Sequence, residues 1–98
     1  MNRAYIIAEV EVTDPQAYEQ YKILSTLAIA QADGKVLVRG GTVLPMEGGW
    51  SPKRMVVIAF DSLEKAQNFY DCETYRQARA ARAKAAHMRM IIVEGVPD

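Results

Sequence analysis

The sequence holds one cysteine, one histidine and one tryptophan, and no excess of either charge. A single cysteine closes no disulfide within the chain, which removes the usual staple of small secreted domains and makes a reducing cytoplasm the expected compartment. One histidine and one cysteine cannot assemble the usual zinc site, and no carboxylate cluster has metal-ligand spacing, so neither metal nor cofactor is expected. No Ser-His-Asp arrangement can be argued around the lone His87. Lysine plus arginine equals aspartate plus glutamate, 12 against 12, so no bulk field draws the protein to nucleic acid or to an anionic membrane. No apolar run is long enough to cross a bilayer, and Met1-Asn2-Arg3 is expected to enter a strand directly, without a removable leader. Gly40-Gly41 and Gly48-Gly49 are not followed by the lysine and hydroxyl residue of a phosphate loop.

What is present is a chain of 98 residues, half of them hydrophobic, the size of one domain over 1–98. Ala4 to Val12 alternates, with Ile6, Ala8, Val10 and Val12 on one face and Tyr5, Ile7, Glu9 and Glu11 on the other, which predicts a strand. Asp14 as cap and Pro15 in the first turn open a helix whose apolar spacing runs to Gln31, and Asp33-Gly34 is expected to end it with the glycine left-handed. Lys35 to Met46 reads as a second strand, weakened or bulged at Gly40-Gly41, and Lys53 to Phe60 as a third. Asp61-Ser62-Leu63-Glu64 resembles a capping box and starts a second helix. That helix is expected to break near Asp71-Cys72 and to resume from Glu73 to about Ala86, before a last strand from His87 to Gly95.

The order is βαββαβ with the second helix split, which predicts an α+β, ferredoxin-like domain: a four-stranded antiparallel sheet with its helices on one face. The third and fourth strands are nevertheless apolar on both faces. Tyr5, Ile7, Val57 and Ile91 are therefore expected on the uncovered face, where a homodimer through sheet-to-sheet pairing, a dimeric α+β barrel, would bury them.

The segments YIIAEVEVTDPQAYEQY, VLVRGG, PKRMVVIAF leading into DSLEKAQNFY, and IIVEG, in this order and spacing, resemble the domain-of-unknown-function family thirteen-thirty over nearly the whole chain. The resemblance implies the dimeric α+β barrel superfamily and no established substrate. Related barrels include cofactor-free monooxygenases, haem-degrading enzymes and small-molecule isomerases, with pockets between the helices and the sheet of each subunit. The chain departs from the family where a histidine–serine–proline–glutamate–tyrosine type of segment follows the second helix: here Asp71-Cys72-Glu73-Thr74-Tyr75 stands instead, so chemistry relying on that histidine is not expected. Haem is not expected either, since His87 lies off the helix that carries the axial ligand in haem-binding relatives.

Arg39, Arg54 and Arg82 match arginines of the family pattern. A guanidinium is suited to a carboxylate or phosphate, so Arg39 and Arg82 are candidates to hold an acidic small molecule. The alternative for Arg39 is an ion pair with Glu9 or Glu11 across the sheet or a dimer interface. Tyr18 and Tyr21 on the first helix, with Tyr70 and Tyr75 flanking the break in the second, either face a bound ring or carbonyl or simply pack the core. The candidate ligand-binding set is Tyr18, Tyr21, Arg39, Tyr70 and Arg82. Trp50, in a glycine-rich loop, suits a lid or, somewhat better, a dimer contact. Cys72 sits near a helix start but has no evident base. Arg76, Arg79 and Arg82 recur every third residue and read as a solvated helix face in preference to a nucleic-acid stripe. The resulting expectation is an uncharacterised dimeric domain that binds a small aromatic or acidic molecule between helices and sheet. The alternatives are a cofactor-free monooxygenase or isomerase, and a non-catalytic dimerisation or sensor module.

Overall fold

The computed structural model describes residues 2–97; Met1 and Asp98, the two ends of the expected domain, lie outside them. Strand β1 (Asn2–Val12) alternates as its sequence predicts: Ala4, Ile6, Ala8 and Val10 are buried, and Tyr5, Ile7 and Glu9 only partly so. Asp14 caps helix α1 (Pro15–Gln31) by accepting the Ala17 N–H at 3.1 Å, and proline at the first position loses no hydrogen bond there.

The end of α1 departs from expectation. Asp33, not Gly34, takes the left-handed conformation, at φ 56°. The Asp33 N–H donates to the Ala30 carbonyl and the Gly34 N–H to the Ile29 carbonyl, the paired bonds of a Schellman closure. Gly34 is required for a different reason, since a Cβ there would lie 2.8 Å from the buried Phe60 ring.

Strand β2 is only Lys35–Arg39, shorter than the expected Lys35–Met46. Its irregularity falls between Val36 and Val38, and the chain leaves the sheet at Gly40, which has φ 68°. Residues 41–53 form a connection without helix or ladder that turns at Gly48-Gly49, because Gly41 and Pro45 favour neither helix nor ladder. Strand β3 (Arg54–Phe60) follows. Ser62, not Asp61, caps helix α2 (Leu63–Asp71), accepting the Lys65 N–H at 3.1 Å. The split then falls on Cys72, which ends α2 and caps α3 (Glu73–Arg82) with extended backbone at ψ 156°. Helix α3 stops four residues short of Ala86, and β4 (Ala86–Pro97) begins there.

The sheet order is β2-β3-β1-β4, antiparallel at every pairing. This is the ferredoxin-like α+β arrangement. Register decides what faces the helices: Ala4, Ile6, Ala8 and Val10 of β1 stand beside Phe60, Ile58, Val56 and Arg54 of β3. Ala4, Ile6, Ala8, Val10, Ile58 and Phe60 pack with Tyr18, Tyr21, Ala28, Phe69 and Tyr75 in one core. On the other face Ile7 pairs with both Val57 and Ile91, and Tyr5 stands beside Ala59 and Val93. Tyr5, Ile7, Val57 and Ile91 thus share the face without helices, as expected, and Ile91 is 58% exposed.

Candidate functional site

Between α1 and the β2–β3 side of the sheet lies a cavity of about 80 Å³. Tyr18, Tyr21 and Ile29 wall it from the helix, Val56 and Ile58 from the sheet, and Tyr75 and Met88 close its inner end. Helical spacing places Tyr18 and Tyr21 on one face, with ring centroids 5.1 Å apart. Arg54 enters because strand alternation gives it the same face as Val56, Ile58 and Phe60. Its guanidinium lies directly beneath Gly40, where any Cβ would collide with it. Its Nε is buried without a hydrogen-bond partner.

Arg39 reaches the rim. It is register-paired with Val56, so it faces the helices, whereas Glu9 and Glu11 face away from them. Within one subunit Arg39 therefore pairs with neither glutamate. Glu9 is taken by Arg89, whose Nε donates to it at 2.8 Å, and Glu11 by Lys53 at 2.8 Å. Both carboxyls are held below their ordinary range, chiefly by those hydrogen bonds. Lys22, also at the rim, pairs with Glu19 at 2.9 Å. Among the described residues no ion pair is made by Arg39 or Arg54, and no carboxylate, imidazole or thiol lines the cavity.

At the inner end the Tyr21 and Tyr75 hydroxyls meet at 2.8 Å. Burial and then the neighbouring Tyr75 push the Tyr21 hydroxyl well above the ordinary tyrosine range, and burial raises Tyr75 and Tyr18 as well. Arg82 approaches from the far side, its Nη1 3.4 Å from the Tyr75 hydroxyl and in contact with Met88 Sδ. Arg82 stands 5.5 Å from the Tyr21 ring centre, yet neither it nor Tyr70 lines the cavity with Tyr18, Tyr21 and Arg39. Arg82 and Tyr70 line a separate outer groove with Met88, Met90 and Ile92.

Arg54 and Tyr75 belong to the cavity and stood outside the candidate set. Arg54 was readable from strand alternation once Phe60 was set inward. Tyr75, flanking the break with Tyr70, reaches the cavity because α3 packs against α1, its hydroxyl meeting that of Tyr21. The stripe Arg76, Arg79 and Arg82 is not a uniformly solvated face: only Arg76 is exposed, while the Arg79 guanidinium lies 4.1 Å above the Tyr70 ring centre. Trp50 donates to Glu9 at 3.4 Å, on the sheet face opposite the cavity, so it is no lid for the cavity of its own subunit. Cys72 packs against the core on the helix side and its Sγ accepts the Tyr75 N–H at 3.4 Å, whereas His87 stands beside Glu11 on the other face. Among the described residues no group of three or more His, Cys, Asp or Glu is placed to hold a metal ion, and no helix is long and apolar enough to cross a membrane.

No curated protein matches the chain. Among solved structures it is similar to RPA0582, a protein of unknown function from Rhodopseudomonas palustris, with TM-score 0.78 and 17% identity over 99% of this chain and 85% of that one. It is also similar to SnoaB, a cofactor-independent oxygenase from Streptomyces nogalater, with TM-score 0.66 and 7% identity over 100% of this chain and 97% of that one. A dimeric protein of unknown function and ferredoxin-like fold from Bacteroides fragilis gives TM-score 0.63 and 13% identity over 94% and 95% of the two chains. At these identities the likeness concerns the fold alone. Residues 3–96 match the family described as Domain of unknown function (DUF1330), and the chain belongs to that family.

Proposed function

We propose that this protein binds a small acidic molecule between helix and sheet, its anionic group anchored by Arg54 and Arg39. The observation that carries this reading is the pairing of two guanidiniums with a cavity that no carboxylate lines. The Arg54 Nε is buried without a partner, which is costly, and an entering carboxylate would relieve that cost while forming charge-assisted hydrogen bonds. The cavity's 80 Å³ corresponds to two or three waters at about 30 Å³ each, room for an acid head group. The body of the ligand would extend past Ser25, Thr26 and Lys22 at the rim, and an aromatic body would meet the Tyr18 ring.

Two copies would pair through the sheet face that carries Tyr5, Ile7, Val57 and Ile91, giving a homodimeric α+β barrel. The dimeric relative from Bacteroides fragilis supports that assembly. Trp50, anchored to Glu9 on the same face, fits a dimer contact. A free, partly buried cysteine suits the reducing cytoplasm.

An oxygenase or isomerase reading, suggested by the likeness to SnoaB, is less well supported. A reaction that begins with proton abstraction needs a base within reach, and the cavity offers tyrosines whose protons burial holds more tightly. The site is better suited to binding than to proton transfer.

Isothermal titration with benzoate and with uncharged benzamide tests the proposal. Benzoate binding that weakens at least tenfold in Arg54→Gln, with benzamide silent, is the expected outcome. Equal affinity for both probes, or no loss in the variant, would defeat it.

A further inference from the structure

The outer groove that holds Arg82 and Tyr70 is distinct from the cavity, and nothing in the proposed function uses it. It encloses about 380 Å³, within the range of small-molecule sites, and is lined by Tyr70, Arg82, Met88, Met90 and Ile92. Its polarity is sharply divided. Arg82 contacts Met88 Sδ, so the guanidinium stands at the Met88 end. Met88, Met90 and Ile92 then follow along β4 at alternate positions, all half-buried on the helix side. From Met88 to Ile92 the strand runs about 13 Å at the ordinary rise per residue.

No carboxylate among the described residues lines the groove. Among the described residues neither Arg79 nor Arg82 makes an ion pair, and the Nε of Arg79 is buried without a hydrogen-bond partner. Arg79 is held on the Tyr70 ring, one turn before Arg82 on the same helix. The carboxylates of Glu9 and Glu11 are engaged by Arg89 and Lys53.

The geometry points to a second binding site in this groove, for a linear amphiphilic carboxylate, a medium-chain fatty acid. The carboxylate sits on Arg82 and the alkyl chain lies along Met88, Met90 and Ile92. Unbranched, polarisable methionines conform to a chain without fixed shape. The inner cavity is too small for such a chain, and Met88 and Met90 form a wall common to both.

The test is isothermal titration of the full chain with octanoate, 1-octanol and acetate, the last as head group alone. Octanoate is expected to bind at least tenfold more tightly than either of the others. Arg82→Gln should weaken octanoate at least tenfold. Because Arg82 also supports Tyr75, Ile92→Glu provides a second variant that leaves the arginine intact; it should weaken octanoate and have more effect than on acetate. Circular dichroism establishes that each variant is folded. Octanol binding as tightly as octanoate would overturn the site, as would no binding of octanoate. So would octanoate binding lost in Arg54→Gln but kept in Arg82→Gln, since the acid would then occupy the inner cavity. Benzoate binding reports on the inner cavity separately, so failure of one site is distinguishable from failure of the other.

Discussion

The hydroxyls of Tyr21 and Tyr75 meet at 2.8 Å in the core, joining α1 to α3 across 54 positions of sequence. Both rings are nearly inaccessible to solvent, at 7% and 1% exposure. A hydroxyl in such a place needs a partner, and each supplies the other's.

Removal of one hydroxyl therefore leaves the other less well satisfied. Tyr21→Phe and Tyr75→Phe should each cost about 1–3 kcal/mol in urea denaturation. The double variant should cost less than the sum of the two singles, because it leaves neither hydroxyl orphaned. Strict additivity would mean that the pair is not coupled.

The same pair dictates alkaline behaviour. In the folded protein Tyr21 holds its proton well above the ordinary value of 10.0, so above that pH the unfolded chain ionises first. The sign follows: the contribution is fully present below pH 10 and is lost as pH rises toward the folded value, with a slope of up to about 1.4 kcal/mol per pH unit from Tyr21. Denaturation midpoints measured between pH 9 and 11 should fall, and fall less steeply in Tyr21→Phe. An unchanged slope in the variant would remove Tyr21 as the source.

Gly40 joins fold to site. At φ 68°, with the Arg54 guanidinium beneath it, it allows neither an ordinary side chain nor an unmoved arginine if one is added. Gly40→Ala should cost about 1–2 kcal/mol in stability through the left-handed backbone. It should also weaken benzoate binding by displacing Arg54. Loss of stability with benzoate affinity intact would place the ligand away from Arg54.

Gly34→Ala tests packing alone. Its Cβ would press on Phe60, itself 2% exposed and unable to move away cheaply. The expected cost is about 1–3 kcal/mol, read from the chemical denaturation midpoint, with no change in ligand affinity at equal folded fraction.

The dimer proposal is tested at Ile7, which stands between Val57 and Ile91 on the open face. Ile7→Glu places a charge at the centre of the proposed contact and should yield a folded monomer in sedimentation velocity. A variant that remains dimeric would assign assembly to another surface.

Local signals in the sequence determined much of this protein. The alternation of β1, the Asp14 cap before Pro15, and the break at Cys72 each depend on residues within one turn or one strand. From them follow the element order, the ferredoxin-like sheet and the open face with Ile7, Val57 and Ile91. The length of β2 was less legible, because the β-branched run after Gly41 suits a strand, and only the left-handed Gly40 and the absent ladder partner show that it leaves the sheet. The candidate site was legible in kind but not in grouping. Tyrosines and arginines stood out as polar residues in core patterns, yet their spacing could not say which would meet. Tertiary packing decided that: it set Arg54 and Tyr75 into the cavity with Tyr18, Tyr21 and Arg39, and sent Tyr70 and Arg82 to the outer groove. The reason is that register and helix packing, which no local pattern encodes, choose neighbours across tens of residues.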